Sequence, residues 1–272
     1  MIVARDLAAL RAALAARPGP WALAPTMGAL HAGHLALLAE ARRLAPNVAA
    51  SIFVNPTQFA AGEDLARYPR DEAGDLAQLG AAGCDLAWLP TPEAMYPPGD
   101  VTFIEVGGPS AGFEGALRPG HFRGVATVVG KLLHQVGPVA AMFGEKDWQQ
   151  LQVVRRMAAD LHWPVAVVGV PTVREADGLA MSSRNRFLSP GERAVAPRLA
   201  EALRAVAAGL ADDPAGALAR GVAALDGTGF VVDYLAQVDA ASLGPVAAGR
   251  PARLVAAARL GAVRLLDNLA VP

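Results

Sequence analysis

The sequence predicts an α/β fold, in which a doubly wound parallel sheet is followed by a smaller α+β domain. Two observations support this prediction. Up to about residue 170, short continuous apolar runs alternate with amphipathic stretches, which is typical of parallel strands covered by helices on both faces. Beyond that point the composition changes to a helix-forming stretch and then to alternating apolar and polar residues. We therefore expect one domain at residues 1–173 and a second at residues 174–272.

The elements of the first domain follow from local patterns. A helix is predicted at residues 5–16, because leucines recur there at helical spacing before two prolines end the pattern. The apolar runs that are short enough to be buried strands are Trp21–Ala24, Ala49–Val54, Leu86–Leu89, Val139–Phe143 and Val165–Val170. The helical stretches between and after them lie near residues 34–45, 72–82, 122–136 and 147–160. This order of elements predicts a Rossmann-like sheet.

The second domain is predicted from a change in pattern. Residues 190–226 are rich in alanine, leucine and arginine and contain two breaks, which predicts two helices. Residues 230–238 and 253–267 then alternate as strands do. Pro171–Asn185 would join the two domains, and ligand sites are common at such junctions.

Composition and charge exclude several classes of protein. The 272 residues include 24 Lys and Arg against 25 Asp and Glu, whereas a nucleic-acid-binding surface would show a basic excess. A single cysteine, Cys84, excludes an internal disulfide and a CxxC metal or redox pair. The longest charge-free run, Pro18–Ala39, contains three prolines and two histidines, so we expect no membrane span. The first residues lack the basic segment followed by an apolar segment that is typical of a signal peptide, so we expect a cytoplasmic protein.

The first segment with candidate chemistry is Pro25–Leu35, which follows the first predicted buried strand and contains Gly28 and Gly33. A glycine-containing corner at the carboxyl end of a parallel strand suits a phosphate. His31 and His34 lie three residues apart at a helix start, so they would share one face and donate hydrogen bonds to a phosphoryl group. Two polar histidines in a turn would explain the same residues. The sequence has neither GxGxxG nor a Walker GxxxxGK(S/T), which argues against dinucleotide enzymes and P-loop ATPases.

Neutral polar residues follow the second buried strand. Asn55 and Gln58 carry amides that could hold a small hydroxylated acid without a competing charge. An Asn-Pro pair is also an ordinary start of a turn, so this segment alone is weak evidence.

Lysine is rare in this chain, which makes one lysine informative. Only Lys131 and Lys146 are lysines, and Lys146 follows the predicted strand Val139–Phe143 at the carboxyl edge of the sheet. An ammonium group is a compact point charge, which phosphate sites often use in place of a planar guanidinium. A solvated charge paired with Glu145 or Asp147 would explain the same residue.

A loop near the predicted domain junction carries further phosphate-binding groups. Ser182, Ser183 and Arg184 lie within Arg174–Asn185, which also contains a glycine. Two hydroxyls and a guanidinium would give short and long donors for phosphate oxygens, and the loop could close over a substrate and exclude water. An ordinary surface turn would explain the same sequence.

Together these segments resemble the pantoate–beta-alanine ligase family, which belongs to the nucleotidyltransferases with a His-x-Gly-His element. The matching segments are Pro25–Leu35, Phe53–Phe59, Phe143–Gln150 and Arg174–Leu188, in the order and at the spacing found in that family. The resemblance extends over essentially the whole chain. It implies an enzyme that uses ATP to condense (R)-pantoate with beta-alanine through a pantoyl adenylate, and that releases pantothenate, AMP and diphosphate.

The resemblance also implies roles for individual residues. His34 matches the family's proton donor, His31 its phosphate-binding companion and Lys146 a phosphate contact, so these three are the predicted catalytic residues. The predicted ATP-binding residues are Met27, Gly28, Ala29, Leu30, His31, Ala32, Gly33, His34, Gly144, Glu145, Lys146, Asp147, Val173, Met181, Ser182, Ser183 and Arg184. The predicted pantoate- and beta-alanine-binding residues are Asn55, Gln58 and Gln150.

The remaining implications concern partners and departures from the family pattern. Mg²⁺ would be bound mainly through the ATP phosphates, because that ion keeps most of its water. A homodimer is expected, and the second domain is expected to close over the active site. Ala32 stands where the family usually has an acidic residue, and Trp148 stands where it usually has tyrosine.

Two alternatives stay open on the sequence alone. The nearest is another adenylyl-transferring enzyme of the same superfamily with a different acid or a nucleotide-like acceptor, although Gln58 and Gln150 favour a neutral pocket for a small acid. The other is a nucleotide-binding regulatory protein without turnover, which the intact His31, His34 and Lys146 argue against.

Overall fold

The structure, a computed structural model, describes residues 1–60 and 63–271. The chain forms two compact units. The first comprises Met1–Glu145 and Gln149–Pro171, and the second comprises Lys146–Trp148 and the chain from Thr172 onward. The short segment Lys146–Trp148 therefore belongs to the second unit, although in sequence it lies within the first.

The first unit is built on one parallel sheet. Its strands are β1 (Ile2–Ala4), β2 (Trp21–Thr26), β3 (Asn47–Ile52), β4 (Leu86–Trp88), β5 (Ala140–Gly144) and β6 (Ala166–Val170). Their order across the sheet is β1-β4-β3-β2-β5-β6, and every neighbouring pair is parallel. The chain leaves β2 toward β3 on one side, whereas β5 and β6 lie on the other side. This reversal opens a crevice at the carboxyl ends of β2 and β5, and the predicted doubly wound fold is confirmed.

The five strands predicted in this unit are all present, with small shifts at their ends. Strand β1 was not predicted; it has only three residues and exposes the first two of them. So short and half-exposed a segment shows neither a continuous apolar run nor an alternation.

Helices cover the sheet of the first unit. They are α1 (Leu7–Ala15), α2 (Ala32–Leu44), α3 (Glu72–Ala81), α4 (Pro92–Met95), α5 (Phe113–Leu117), α6 (His121–Val136) and α7 (Trp148–Asp160), of which α7 begins with a residue of the second unit. The five longer helices were predicted. Helices α4 and α5 were not predicted, because four or five residues are too few to show a helical apolar period.

Small residues hold α2 close to the sheet. Ala22 and Ala24 of β2 are fully buried, as is Ala50 of β3, and they belong to the same apolar core as Leu37 and Leu38 of α2. Because alanine side chains leave little space between backbone and helix, the start of α2 is fixed relative to the end of β2. The loop between them therefore has a rigid base.

The second unit packs three helices against an antiparallel sheet. The helices are α8 (Pro190–Val195), α9 (Arg198–Gly209) and α10 (Pro214–Asp226), and the strands β7 (Phe230–Asp239), β8 (Ala252–Leu260) and β9 (Val263–Val271) lie in the order β7-β8-β9. The prediction of two helices was wrong, because Pro197 separates α8 from α9. In the described part of the chain, no helix combines the length and the apolar character needed to cross a membrane.

Candidate active site

The loop between β2 and α2 lies at the crevice of the sheet and carries the two predicted catalytic histidines. His31 caps α2, and its Nδ1 accepts a hydrogen bond from the Gly33 N–H over 3.1 Å. Nδ1 of His34 accepts a bond from the His31 N–H over 3.3 Å, so the two side chains form a reciprocal capping box. The ring centroids are 4.1 Å apart.

The capping box determines which nitrogen of each histidine can donate. A backbone N–H can only donate, so Nδ1 of His31 and Nδ1 of His34 act as acceptors and carry no proton. Each neutral ring therefore carries its proton on Nε2. Both histidines are held as Nε2–H donors, which is the form that stabilises a phosphoryl group.

Gly33 explains why the motif contains a glycine. A Cβ atom at this position would lie 2.8 Å from Cε1 and 2.9 Å from Nδ1 of His31, closer than carbon atoms approach in folded proteins. The His31 ring could then not fold back over the helix start to accept the Gly33 N–H. Gly33 is therefore needed for the His31 cap, while Ala32 beside it is exposed.

Asn55 and Gln58 lie together in the loop after β3, and both are buried. The Asn55 Nδ2 donates to Gln58 Oε1 over 3.0 Å, so the Gln58 amide nitrogen faces the other way, 3.1 Å from Sδ of Met27. Asn55 Oδ1 accepts bonds from Tyr96 and from Thr57. The structure thus brings Gln58 to the Met27 loop, while the polar atoms of Asn55 are engaged in orienting it.

Gln150 lies half-buried in the first turn of α7, beyond β5. Its neighbour Gln149 is more deeply buried, accepts from the Glu114 N–H and donates to the carbonyl of Pro109, so Gln149 has a structural role. Gln58, the two histidines and Gln150 follow β3, β2 and β5, which are adjacent strands of one sheet. These residues therefore share its carboxyl edge.

The backbone of Gln58 is held by a partly buried polar network that was not predicted from the sequence. His121 Nδ1 lies 2.9 Å from the Gln58 carbonyl oxygen, and His121 Nε2 lies 3.1 Å from Nη1 of Arg118. Arg118 also forms a two-pronged pair with Glu63, at 2.8 and 2.7 Å. Because a carbonyl only accepts and a guanidinium only donates, His121 is a neutral ring with its proton on Nδ1.

Burial and this network change two pKa values. Burial is the main cause that lowers the pKa of His121 to about 4, and the positive charge of Arg118 lowers it further. Burial alone would raise the pKa of Glu63, but its hydrogen bonds and charge pairing with Arg118 outweigh burial and lower it. At neutral pH the cluster therefore contains a neutral histidine beside a paired carboxylate.

The depressed pKa of His121 predicts that acid destabilises the protein. The pKa is about 4 in the folded chain and 6.5 without the fold, so the unfolded state binds more protons between these values. Stability is fully present above about pH 6.5 and is lost as the pH falls toward 4. We expect a loss of about 2 kcal/mol in the free energy of unfolding between pH 7 and pH 5.

Denaturant titrations at both pH values check this expectation. A His121→Gln variant should lose most of the difference between pH 7 and pH 5, because glutamine does not titrate. An equal pH dependence in the two proteins would show that His121 is not the group responsible.

The second unit brings together predicted phosphate-binding residues from two distant segments. Lys146, Ser182 and Arg184 line one pocket. Ser182 Oγ accepts the Arg184 N–H over 3.3 Å and caps the short 3₁₀ turn that carries this loop. Lys146 Nζ lies 3.2 Å from Oδ1 of Asp147. The pocket thus offers a hydroxyl, an ammonium and a guanidinium as donors that suit an anion, beside the carboxylate of Asp267.

The segment that carries Lys146 is fixed within the second unit. Asn268 Nδ2 donates to the Lys146 carbonyl oxygen over 2.8 Å, and Asn268 Oδ1 accepts from Arg253 Nε over 2.6 Å. The Arg253 guanidinium lies over the Trp148 ring, with its central carbon 3.4 Å from the ring centroid, and the indole N–H donates to Ala240 over 2.7 Å. Trp148, which stands where the family usually has tyrosine, therefore helps to hold Lys146–Trp148 in place.

Four other predicted ATP-binding residues lie next to these segments in the sequence. Gly144 ends β5 and Glu145 begins the 3₁₀ turn after it. Val173 and Met181 are joined by a hydrogen bond from the Met181 N–H to the Val173 carbonyl over 2.9 Å. Within residues 1–60 and 63–271, no three His, Cys, Asp or Glu side chains converge as a metal site.

An open α/β sheet with a His-x-Gly-His cap at its switch-point crevice is typical of enzymes that handle nucleotide phosphates. The sequence profile of one family, Pantoate-beta-alanine ligase, matches residues 2–270. The chain belongs to the pantoate-beta-alanine ligase family.

Individual relatives agree with this membership. A pantothenate synthetase of Acidiphilium cryptum is 60% identical over 278 residues, which cover 100% of both chains. The crystal structure of pantothenate synthetase from Thermus thermophilus has a TM-score of 0.94 at 52% identity and covers 100% of both chains. A pantoate-beta-alanine ligase from Francisella tularensis, complexed with beta-gamma ATP and beta-alanine, has a TM-score of 0.85 at 31% identity and covers 99% of this chain and 97% of its own. The resemblance stated from the sequence is confirmed, and the chain is a ligase.

Proposed function

We propose that this protein condenses (R)-pantoate with beta-alanine at the expense of ATP, and that it forms pantothenate, AMP and diphosphate. The observation that carries the proposal is the set of side chains at the carboxyl ends of β3, β2 and β5 in a chain of this family. Gln58 and Gln150 supply neutral amides there, and His31 and His34 supply two Nε2–H donors. Neutral amides suit a hydroxy acid, and the donors suit a phosphate.

The reaction needs two steps, because a free carboxylate is too stabilised to accept an amine. In the first step a pantoate carboxylate oxygen attacks the α-phosphorus of ATP, and the bond to the bridging oxygen breaks as diphosphate leaves. In the second step the neutral amine of beta-alanine attacks the acyl carbon of pantoyl adenylate, loses a proton, and expels AMP. Both steps depend on in-line positioning and on stabilisation of developing negative charge.

Each predicted residue has a role in this scheme. We propose that His34 and His31 donate from Nε2 to the phosphoryl oxygens, and that Gln58 and Gln150 hold pantoate. Lys146 would contact phosphate together with the loop residues Met181, Ser182, Ser183 and Arg184. Asp147 would bind the ribose and Val173 the adenine through its backbone. Asn55 would act by orienting Gln58, since its own polar atoms are bonded within the protein.

Three further features stay predictions. The first is Mg²⁺ bound mainly through the ATP phosphates, because that ion keeps most of its water. The second is a homodimer of two chains. The third is the division of the chain into functional domains at residues 1–173 and 174–272, with the second domain closing over bound substrates.

An assay with isotopically labelled substrate tests the proposal. Purified protein with ATP, Mg²⁺, beta-alanine and pantoate labelled with ¹⁸O in its carboxylate should form AMP and pantothenate in equal amounts. One ¹⁸O atom should appear in the AMP, because the attacking carboxylate oxygen stays on phosphorus. Omission of pantoate is the control. AMP that forms without pantoate, or ADP in place of AMP, would contradict the proposal.

A further inference from the structure

A buried carboxylate lies behind the loop between β2 and α2. Asp75, on α3, is 2% exposed. Its Oδ2 accepts the Ala29 N–H over 2.8 Å and its Oδ1 accepts the Leu30 N–H over 2.7 Å. Asp75 is separated from these partners by about 45 residues of sequence, so the contact is made by the fold and not by a local turn.

The backbone that Asp75 holds is unusual. Ala29 has a φ of +52°, in the left-handed region that costs free energy for a residue with a Cβ atom. The preceding Gly28 has a φ of +81°, and a Cβ atom there would lie 2.7 Å from Oδ2 of Asp75. The loop therefore makes a left-handed turn directly against the carboxylate, and Gly28 is the residue that allows this approach.

The direction of the loop's N–H groups bears on how a phosphate is bound. In a P-loop, successive backbone N–H groups form a concave nest around the phosphate. Here the N–H groups of Ala29 and Leu30 point at Asp75, the Gly28 N–H lies 3.2 Å from Thr26 Oγ1, and the His31 N–H donates to His34. The Asp75 carboxylate thus occupies two backbone N–H groups of the kind that bind phosphate in a P-loop. Phosphate binding would then depend on side chains at the start of α2.

We propose that Asp75 is a positioning residue, whose carboxylate holds the left-handed turn at Ala29 and so sets the His31 and His34 rings for ATP. The inference rests on the proposed function, because it assumes that these rings meet ATP. Asp75 acts through the loop and needs no contact with the nucleotide. Any contact of Ala29 or Leu30 with ATP would then come from atoms other than their backbone N–H groups.

The test is the affinity for ATP alone, measured by isothermal titration calorimetry without pantoate. Asp75→Asn replaces one acceptor oxygen by an NH₂ group that faces a backbone N–H. We expect the Kd for ATP to rise by about tenfold and kcat for adenylate formation to fall by a similar factor, as for small misplacements of catalytic groups. The KM for pantoate should change by less than about twofold, since Gln58 is held by other contacts.

A matched control separates positioning from general stability. Asp85 is another carboxylate of the first unit that accepts a distant backbone N–H, that of Val48 over 2.9 Å, but it precedes β4 at the opposite edge of the sheet. Asp85→Asn should lower the thermal midpoint and leave the Kd for ATP unchanged. If the Kd for ATP rises in both variants in proportion to the fall in their thermal midpoints, the proposal is overturned.

A rescue experiment addresses the left-handed turn itself. Glycine adopts a positive φ without cost, so Asp75→Asn should raise the Kd for ATP by a smaller factor in an Ala29→Gly chain than in the original chain. An equal loss with alanine and with glycine at position 29 would contradict the proposed role. If Asp75→Asn does not fold, Asp75→Glu takes its place, because it keeps the charge but displaces the carboxylate by one methylene group, and an unchanged Kd for ATP would overturn the proposal.

The two proposals fail in different ways. If the protein binds ATP but makes no pantoate-dependent AMP, the proposed function is wrong, and the comparison of ATP affinities between variants still stands. If AMP forms as expected and Asp75→Asn binds ATP normally, only the role of Asp75 is wrong.

Discussion

Replacement of His34 by alanine is expected to slow adenylate formation by about 10²-fold or more, as for removal of a positioned transition-state donor. The capping box leaves His34 as an Nε2–H donor on the first turn of α2, at the carboxyl edge of the sheet. Negative charge develops on the phosphoryl oxygens as diphosphate leaves, and this donor would stabilise it. The rate is measured as pantoate-dependent diphosphate release in a single turnover without beta-alanine.

His34 also caps its helix, so the variant needs a control that keeps the cap. The side chain accepts the His31 N–H, and glutamine at this position of a capping box can do the same. His34→Gln should therefore keep the thermal midpoint while it loses the imidazole donor. If His34→Gln restored adenylate formation, the loss in His34→Ala would reflect the helix start and not the chemistry. A rate in His34→Ala within a few-fold of the original would assign His34 to structure.

The parts of the site that could be predicted are those built from local sequence. The spacing of His31 and His34 is a capping-box spacing, so their shared face follows from helix geometry alone. The strands that precede the site could be predicted because each is a continuous apolar run buried on both faces. The two prolines that follow the first helix predicted its end for the same local reason.

The parts that could not be predicted depend on contacts between distant residues. Asp75 meets Ala29 and Leu30, His121 meets Gln58, and Asn268 meets Lys146 across 122 residues. No periodicity or motif marks these residues, since the partner that each one meets depends on how distant elements pack. The assignment of Lys146–Trp148 to the second unit likewise comes from packing on Arg253 and Asn268.

Neutralisation of Lys146 is expected to have the second large effect. Lys146 shares a pocket with Ser182 and Arg184, and its backbone is fixed by Asn268, so its charge is held at a defined place. Lys146→Met keeps the length of the side chain and removes the charge. We expect kcat/KM for ATP to fall by about 10²-fold or more, in the range of a lost charged donor to a phosphate.

Two control variants test whether a positive charge is needed at this particular place. They are Lys146→Arg, which keeps a charge at the site, and Lys131→Met, which removes a charge elsewhere. Arginine restores the charge as a planar and longer fork, so we expect it to recover only part of the loss. Lys131, the other lysine, donates to the Met95 carbonyl over 2.8 Å and pairs with Asp100, so its charge is already used within the first unit. Lys131→Met should lower the thermal midpoint and leave kcat/KM for ATP unchanged. If Lys131→Met and Lys146→Met gave the same kcat/KM for ATP, the rarity of lysine in this chain would have no bearing on phosphate binding.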